Sequence, residues 1–167
     1  MPSDLRTTMR SFATGVCLAT TYTDGPEGRC HDAVTVNSLT SVSLDPPLVS
    51  LSFRHESAFL ADLLETKKWA VSILDGDAGE AARRFAKDRP FRTESLAGLA
   101  AAPGTQTGAL VHGDGWLECR LWAAYEVGDH TMVVGEVLAA AAPEPGPALV
   151  FLHGGFHVLD RSPSAVR

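Results

Sequence analysis

The chain has 167 residues, 45% hydrophobic and 20% charged, with a net charge of −6. That length and balance fit one globular domain, residues 1–167, that buries a core without a disulfide or metal staple. The negative balance argues against general nucleic-acid binding, and no apolar run approaches the roughly 20 residues of a membrane helix.

In chain order, Asp4, Arg6 and Arg10 come before any apolar run. No signal-peptide core follows them, so the cytoplasm is the expected compartment. Gly15 to Thr21 is rich in small and β-branched residues and reads as a strand. Leu48 to Phe53 alternates around Ser50 and Ser52 and reads as another. Ser57 is predicted to cap a helix over Ala58–Leu64, with Phe59, Leu60, Leu63 and Leu64 on one side. Trp69 to Leu74 is a further strand. Asp77 is predicted to cap a second helix, with Glu80 three residues on in a capping box and Arg83, Arg84 and Lys87 toward its end. Residues 97–115, rich in Ala, Gly, Pro and Thr, read as an irregular loop.

The clearest strand is Leu117 to Val127. Leu117, Cys119, Leu121, Ala123, Tyr125 and Val127 share one face, and Glu118, Arg120 and Glu126 lie on the other beside Trp122. Gly128-Asp129 breaks the run before Thr131 to Ala140, and the pair predicts a hairpin. Leu149–Leu152 and Phe156–Leu159, flanking His153-Gly154-Gly155, predict another. Many short strands with two helices point to a mainly β fold, a barrel with helical additions.

Three cysteines, Cys17, Cys30 and Cys119, fit no zinc spacing, and Cys17 and Cys119 read as small buried hydrophobes. His31, His55, His112, His153 and His157 are scattered without a ligand pattern, so no metal is expected. Two stretches carry candidate chemistry. From Val34 to Val49, hydroxyl and amide side chains crowd between apolar residues. Thr35, Asn37 and Ser38 offer donors and acceptors for the edge of a polar heterocycle, and they equally suit an edge strand and turn. From Glu80 to Arg92, five positive charges stand against two negative ones. Such a field suits an anion, and it equally suits a solvated helix face with paired charges.

Several motifs together resemble the flavin reductase-like family of FMN-binding split barrels. They are the Val34 to Val49 segment, Met9-Arg10-Ser11-Phe12-Ala13-Thr14-Gly15-Val16, Ala82-Arg83-Arg84-Phe85-Ala86, Trp116-Leu117-Glu118-Cys119-Arg120, and Gly128-Asp129-His130-Thr131 running on to Val137. The motifs keep the family's order from about residue 6 to residue 159. The resemblance implies a split β-barrel homodimer. It implies hydride transfer from NADH or NADPH to FMN or FAD, with reduced flavin passed to a flavin-dependent monooxygenase. It places Thr35, Val36, Asn37 and Ser38 along the isoalloxazine edge. It places Ser52, Phe53, Arg54 and Ser57 beside the ribityl and phosphate. It brings Arg84 and Phe85 to the phosphate end, and it associates His130 with the nicotinamide. Two places depart from the family. Cys30-His31-Asp32-Ala33-Val34 stands where relatives often have Gly and Met, which puts Asp32 near the ring or nicotinamide pocket. Gly154-Gly155-Phe156 stands where relatives often have Arg-Gly-Tyr, so a cationic contact is expected to be missing there. The alternatives are a flavin-binding module without turnover and a flavin-retaining oxidoreductase acting on a small organic substrate. No dinucleotide glycine fingerprint selects the nucleotide.

Overall fold

A computed structural model describes residues 3–160. A short helix, α1 (Ser3–Met9), leads to β1 (Thr14–Gly15). A long hairpin follows, β2 (Cys17–Gly25) and β3 (Gly28–Val36), and then a second, β4 (Thr40–Leu44) and β5 (Pro47–Arg54), across the cis Asp45–Pro46 bond. After β5 come α2 (Ala58–Thr66), β6 (Lys68–Ile73), α3 (Gly79–Phe85) and α4 (Arg89–Leu96). The small hairpin β7 (Ala101–Pro103) and β8 (Leu110–His112) precedes β9 (Trp116–Val127), β10 (His130–Ala141), β11 (Ala148–Leu152) and β12 (Gly155–Leu159). Among the described residues, no helix is long and apolar enough to cross a membrane.

Seven strands form one sheet in the order β3-β2-β6-β9-β10-β5-β4. Its two edge strands, β3 and β4, are joined by residues 37–39 alone. The sheet must therefore curl until its edges meet at that crossing, although β3 and β4 do not pair with each other. The result is a mainly β barrel with one split seam and helical additions. Leu51, Phe53, Val71, Cys119 and Val133 point inward, where Phe59 and Leu63 of α2 fill the middle. Trp69 is fully buried against Gly135, where an added Cβ would run into the indole. A second core of Val16, Leu18 and Ala33 with Leu74, Ala82, Phe85 and Leu149 lies outside the barrel wall, beneath α3 and β11. β2 is thus covered on both sides, which explains its unbroken burial from Cys17 to Tyr22.

The local signals held where they were strong. The Ser57 hydroxyl accepts the Leu60 N–H at 3.3 Å and caps α2, and Gly128-Asp129 turns the β9–β10 hairpin with Gly128 at φ +62°. The His153-Gly154 turn between β11 and β12 has both residues left-handed, and Gly155 joins β12. Other expectations need correction. Asp77 caps nothing: Asp75 accepts the Asp77 N–H at 3.1 Å, residues 76–78 form a 3-10 turn, and α3 starts at Gly79 without a side-chain cap. Residues 97–115 hold β7 and β8. Along β9 the alternation fails at Trp122, an extra residue between the Leu121↔Gly135 and Ala123↔Val134 pairs. Beyond this bulge Tyr125 and Val127 are exposed. Glu118 is fully buried on the face expected to meet water, because residues 104–109 fold over it and the Gln106 and Thr107 backbone N–H groups donate to Oε1 at 3.0 and 2.8 Å.

Candidate functional site

The barrel seam gathers the first group of candidate residues. Thr35 and Val36 end β3, and Asn37 and Ser38 cross to β4. The Thr35 hydroxyl donates to the Ala82 carbonyl at 2.6 Å, which ties β3 to α3. Ser38 Oγ accepts the Ser52 N–H at 3.1 Å and lies 3.4 Å from the Ser52 carbonyl, so one hydroxyl fastens the crossing to β5. Asn37 is exposed and forms no side-chain hydrogen bond to any described residue. Its free carboxamide presents both a donor and an acceptor.

Two cavities meet at Asn37. A groove of about 870 Å³ is lined by Arg10, Gly15, Asn37, Ser38, Thr40 and Phe151, among others. A smaller hollow of about 180 Å³ is lined by Thr35, Val36, Asn37, Ala86, Phe151 and Phe156. The larger one has the size of an organic cofactor site. Sequence reasoning assigned none of Phe151, Phe156 and Arg10 to the site, although Arg10 and Phe156 stand in motifs it quoted. The β11–β12 pattern and the Met9–Val16 motif were visible, but nothing in either said that they meet at Asn37. Arg10 also accounts for the cation expected to be missing near Gly154: its guanidinium donates to the His153 carbonyl at 3.0 Å.

The second group lies along the outer face of β5 and β10. Leu51 and Phe53 point into the barrel, which leaves Ser52 and Arg54 outward on the alternate positions. Ser52 pairs with Met132 and Arg54 with His130. Two residues of strand separate Ser52 from Arg54, roughly 7 Å. One strand face therefore connects the seam to His130. The His130 Nδ1–H donates to the Asp129 carboxylate at 2.7 Å. That hydrogen bond is the chief reason the Asp129 carboxyl sits below the usual carboxylate range. With Nδ1 so engaged, Nε2 carries the lone pair of the neutral ring. Arg54 is exposed and 4.0 Å from Glu56. Ser57 holds the start of α2, whose first-turn N–H groups lack intrahelical partners.

Phe53 and Phe85 are buried, Phe53 against Phe59 at 5.3 Å between ring centroids and Phe85 in the outer core. The basic stretch is less open than its charges suggest. Arg84 pairs with Glu80 at 2.5 Å, and Arg92 and Arg89 reach Asp32 at 2.8 and 2.9 Å. Arg89 also reaches Asp62 at 2.5 Å. Asp32 is 4% exposed, so it is an ionic anchor for α4 and does not face an open pocket. Arg83 lies 5.8 Å from the ring of Phe156, which lines the small hollow. Arg84 lines a different depression with Ser95, Gly98 and Leu99, and the structure does not bring it into either cavity at Asn37. Burial pushes the Cys17 thiol up to about 11 and the Cys119 thiol to about 12, which leaves neither as a nucleophile.

The sequence model described as Flavin reductase like domain matches residues 9–160. The chain is 37% identical over 157 residues to the FMN reductase (NADH) SmoA of Agrobacterium fabrum, across 90% of this chain and 82% of that protein. It is similar in structure to BorF, the flavin reductase component of a bacterial two-component tryptophan halogenase, with a TM-score of 0.85, 36% identity, and coverage of 97% of this chain and 100% of that one. It is also similar to the NADH:FAD oxidoreductase SgcE6 of Streptomyces globisporus in complex with NAD and FAD fragments, with a TM-score of 0.85, 31% identity, and coverage of 98% and 94%.

Proposed function

The chain belongs to the flavin reductase-like family, and on that premise we infer how its residues divide the work of an NAD(P)H:flavin oxidoreductase. The enzyme passes a hydride from NADH or NADPH to FMN or FAD and supplies reduced flavin to a monooxygenase. The hydride chemistry belongs to the two cofactors, and the protein supplies binding, alignment and exclusion of water. One observation carries the assignment of roles. The Asn37 carboxamide, without a side-chain partner among the described residues, stands where two cavities meet, and one strand face runs from the seam to His130.

Asn37 matches the donor and acceptor groups of the flavin pyrimidine edge, with Thr35, Val36 and Ser38 shaping the backbone around it. The aromatic wall of Phe151 fits a flat ring system beside that amide. Ser52, Arg54 and Ser57 border the ribityl and phosphate from the outer face of β5 and the start of α2. Phe53 serves from beneath as a buried anchor, and Phe85 does the same under α3. Arg84 takes the phosphate end. Its existing i,i+4 pair is half-exposed and worth only about 0.3–0.5 kcal/mol, so a phosphate can draw it away from Glu80. His130 positions the nicotinamide, with Nε2 free to accept a carboxamide N–H.

The chain works as one flavin reductase-like domain and as a homodimer. Tyr125 and Val127 support the dimer: they are exposed, and they pair with Met132 and His130 on the face that carries the site. A second copy covering them would border the site. The cytoplasm is the proposed compartment, consistent with the exposed free thiol of Cys30. The test is oxidation of NADH and NADPH with FMN, FAD and riboflavin, followed together with flavin bleaching. Turnover with at least one pair is expected. Binding without bleaching by either nucleotide would make the protein a flavin carrier, and flavin that never exchanges would make it a flavin-retaining oxidoreductase.

A further inference from the structure

We propose that His55 is a positioning residue for hydride transfer, holding the β9–β10 turn so that His130 is presented to the nicotinamide. The inference rests on the reading of His130 given above.

His55 is the first residue after β5. Its backbone N–H donates to the Asp129 carbonyl at 3.3 Å. Its ring Nε2 lies 3.0 Å from the Gly128 carbonyl and its Nδ1 lies 3.0 Å from Thr131 Oγ1. A carbonyl only accepts, so Nε2 carries a proton. In the neutral ring Nδ1 then accepts the Thr131 hydroxyl hydrogen. His55 thus grips residues 128, 129 and 131, the three that surround His130, and makes no hydrogen bond to His130 itself.

Hydrophobic burial does not account for this arrangement. His55 is exposed, yet both of its ring nitrogens are committed to the protein. The segment it holds needs holding. A two-residue turn at a hairpin tip has few contacts of its own, and such tips are the first parts of a sheet to open. Thr131 is 6% exposed and faces the inner side, opposite Phe53, so it is a fixed point in the barrel wall. His55 spans from that fixed point to the Gly128 carbonyl, and the rigid imidazole keeps the distance between them. Hydride transfer is sensitive to displacements of an ångström, so a turn that wanders spreads His130 over unproductive positions.

The chemistry also says which replacements can serve. Glutamine keeps an N–H donor on a side chain long enough to reach the Gly128 carbonyl. Alanine keeps neither ring contact. Thr131→Val removes only the partner of Nδ1.

The experiment measures flavin affinity, nucleotide KM and single-turnover bleaching by NADH. The variants are His55→Ala, His55→Gln, Thr131→Val, His130→Ala and the double variant His55→Ala/His130→Ala. His55→Ala is expected to keep flavin affinity within about twofold while the bleaching rate falls, or KM rises, by about 5- to 30-fold. His55→Gln should recover part of that loss, and the double variant should be no slower than His130→Ala alone, because His55 acts through His130. Single effects that multiply in the double variant would overturn the proposal. So would a His55→Ala protein that loses flavin but reduces what it binds at the parent rate, or one unchanged in all three quantities. If His130→Ala itself leaves rate and KM at parent values, the reading of His130 fails and this inference with it, which is distinguishable from a failure of His55 alone. Should His55→Ala not fold, Thr131→Val combined with His130→Ala makes the same comparison.

Discussion

At the scale of single residues, the site is a set of polar groups whose partners are already decided, with a few left open. Ser38, Thr35 and Ser57 spend their hydroxyls on the Ser52 backbone, the Ala82 carbonyl and the Leu60 N–H. Asn37 spends nothing on the described residues, and this contrast supports the proposal that it faces the flavin. Arg84 lies between these cases, engaged by Glu80 in an exposed pair. If it meets the flavin phosphate, Arg84→Ala should weaken FMN by about 10- to 150-fold, the worth of one charge-assisted hydrogen bond of about 1.5–3 kcal/mol, and leave riboflavin nearly unchanged. Comparing the two dissociation constants checks this, and Arg83→Ala is the control, because Arg83 is the cation that faces Phe156. Equal losses for FMN and riboflavin would assign Arg84 to the fold. The amide and hydroxyls at residues 35–38 could be read from their chemistry. The aromatic wall could not, because Phe151 comes to the cavities that Asn37 lines from β11, which pairs with β1 far away in sequence. Asp32 was misread for the same reason: the arginines that bury it come from α4, 57 and 60 residues away.

At the scale of elements, legibility followed locality. The cap of α2 and the turn of the β9–β10 hairpin depend on neighbours in sequence, and both were legible. The bulge at Trp122, the double burial of β2 and the enclosure of Glu118 depend on which elements lie above and below, and a strand's own periodicity does not contain that. α4 carries its own signal in Asp88 and Pro90 at its start, but the charges around it drew the reading toward an anion site. One close packing contact gives a direct check on the barrel. Gly135 lies on the ring of Trp69, which is fully buried and cannot yield. Gly135→Ala should therefore cost about 1–3 kcal/mol by overpacking. Denaturant unfolding should show this as a lower midpoint with an unchanged slope. An unchanged midpoint would mean that β9, β10 and β6 fit together less tightly than described.

At the scale of the whole molecule, the sheet order places the seam at which flavin binding is proposed. Edge strands β3 and β4 are consecutive in the chain, so the curled sheet has its seam at residues 37–39, where backbone and side-chain groups are left free of the ladder. The outer face of β5, β10 and β9 runs from that seam past His130 to Tyr125 and Val127. Exposed aromatic and aliphatic groups beside the proposed site suit a second copy of the chain. Light scattering at micromolar concentration should give twice the 17.7 kDa of the chain, and Tyr125→Asp with Val127→Asp should shift it toward the monomer. A parent protein found only as a 17.7 kDa species would remove the dimer from the account.

The central claim is that flavin is held at the seam while His130 serves the nicotinamide. Anaerobic flavin titration followed by single-turnover bleaching with NADH separates the two roles in Asn37→Ala and His130→Ala. The account predicts that Asn37→Ala loses flavin affinity first. It predicts that His130→Ala binds flavin nearly as the parent does, but bleaches it more slowly or needs more NADH. A His130 variant that loses flavin yet reduces what remains bound at the parent rate would contradict it.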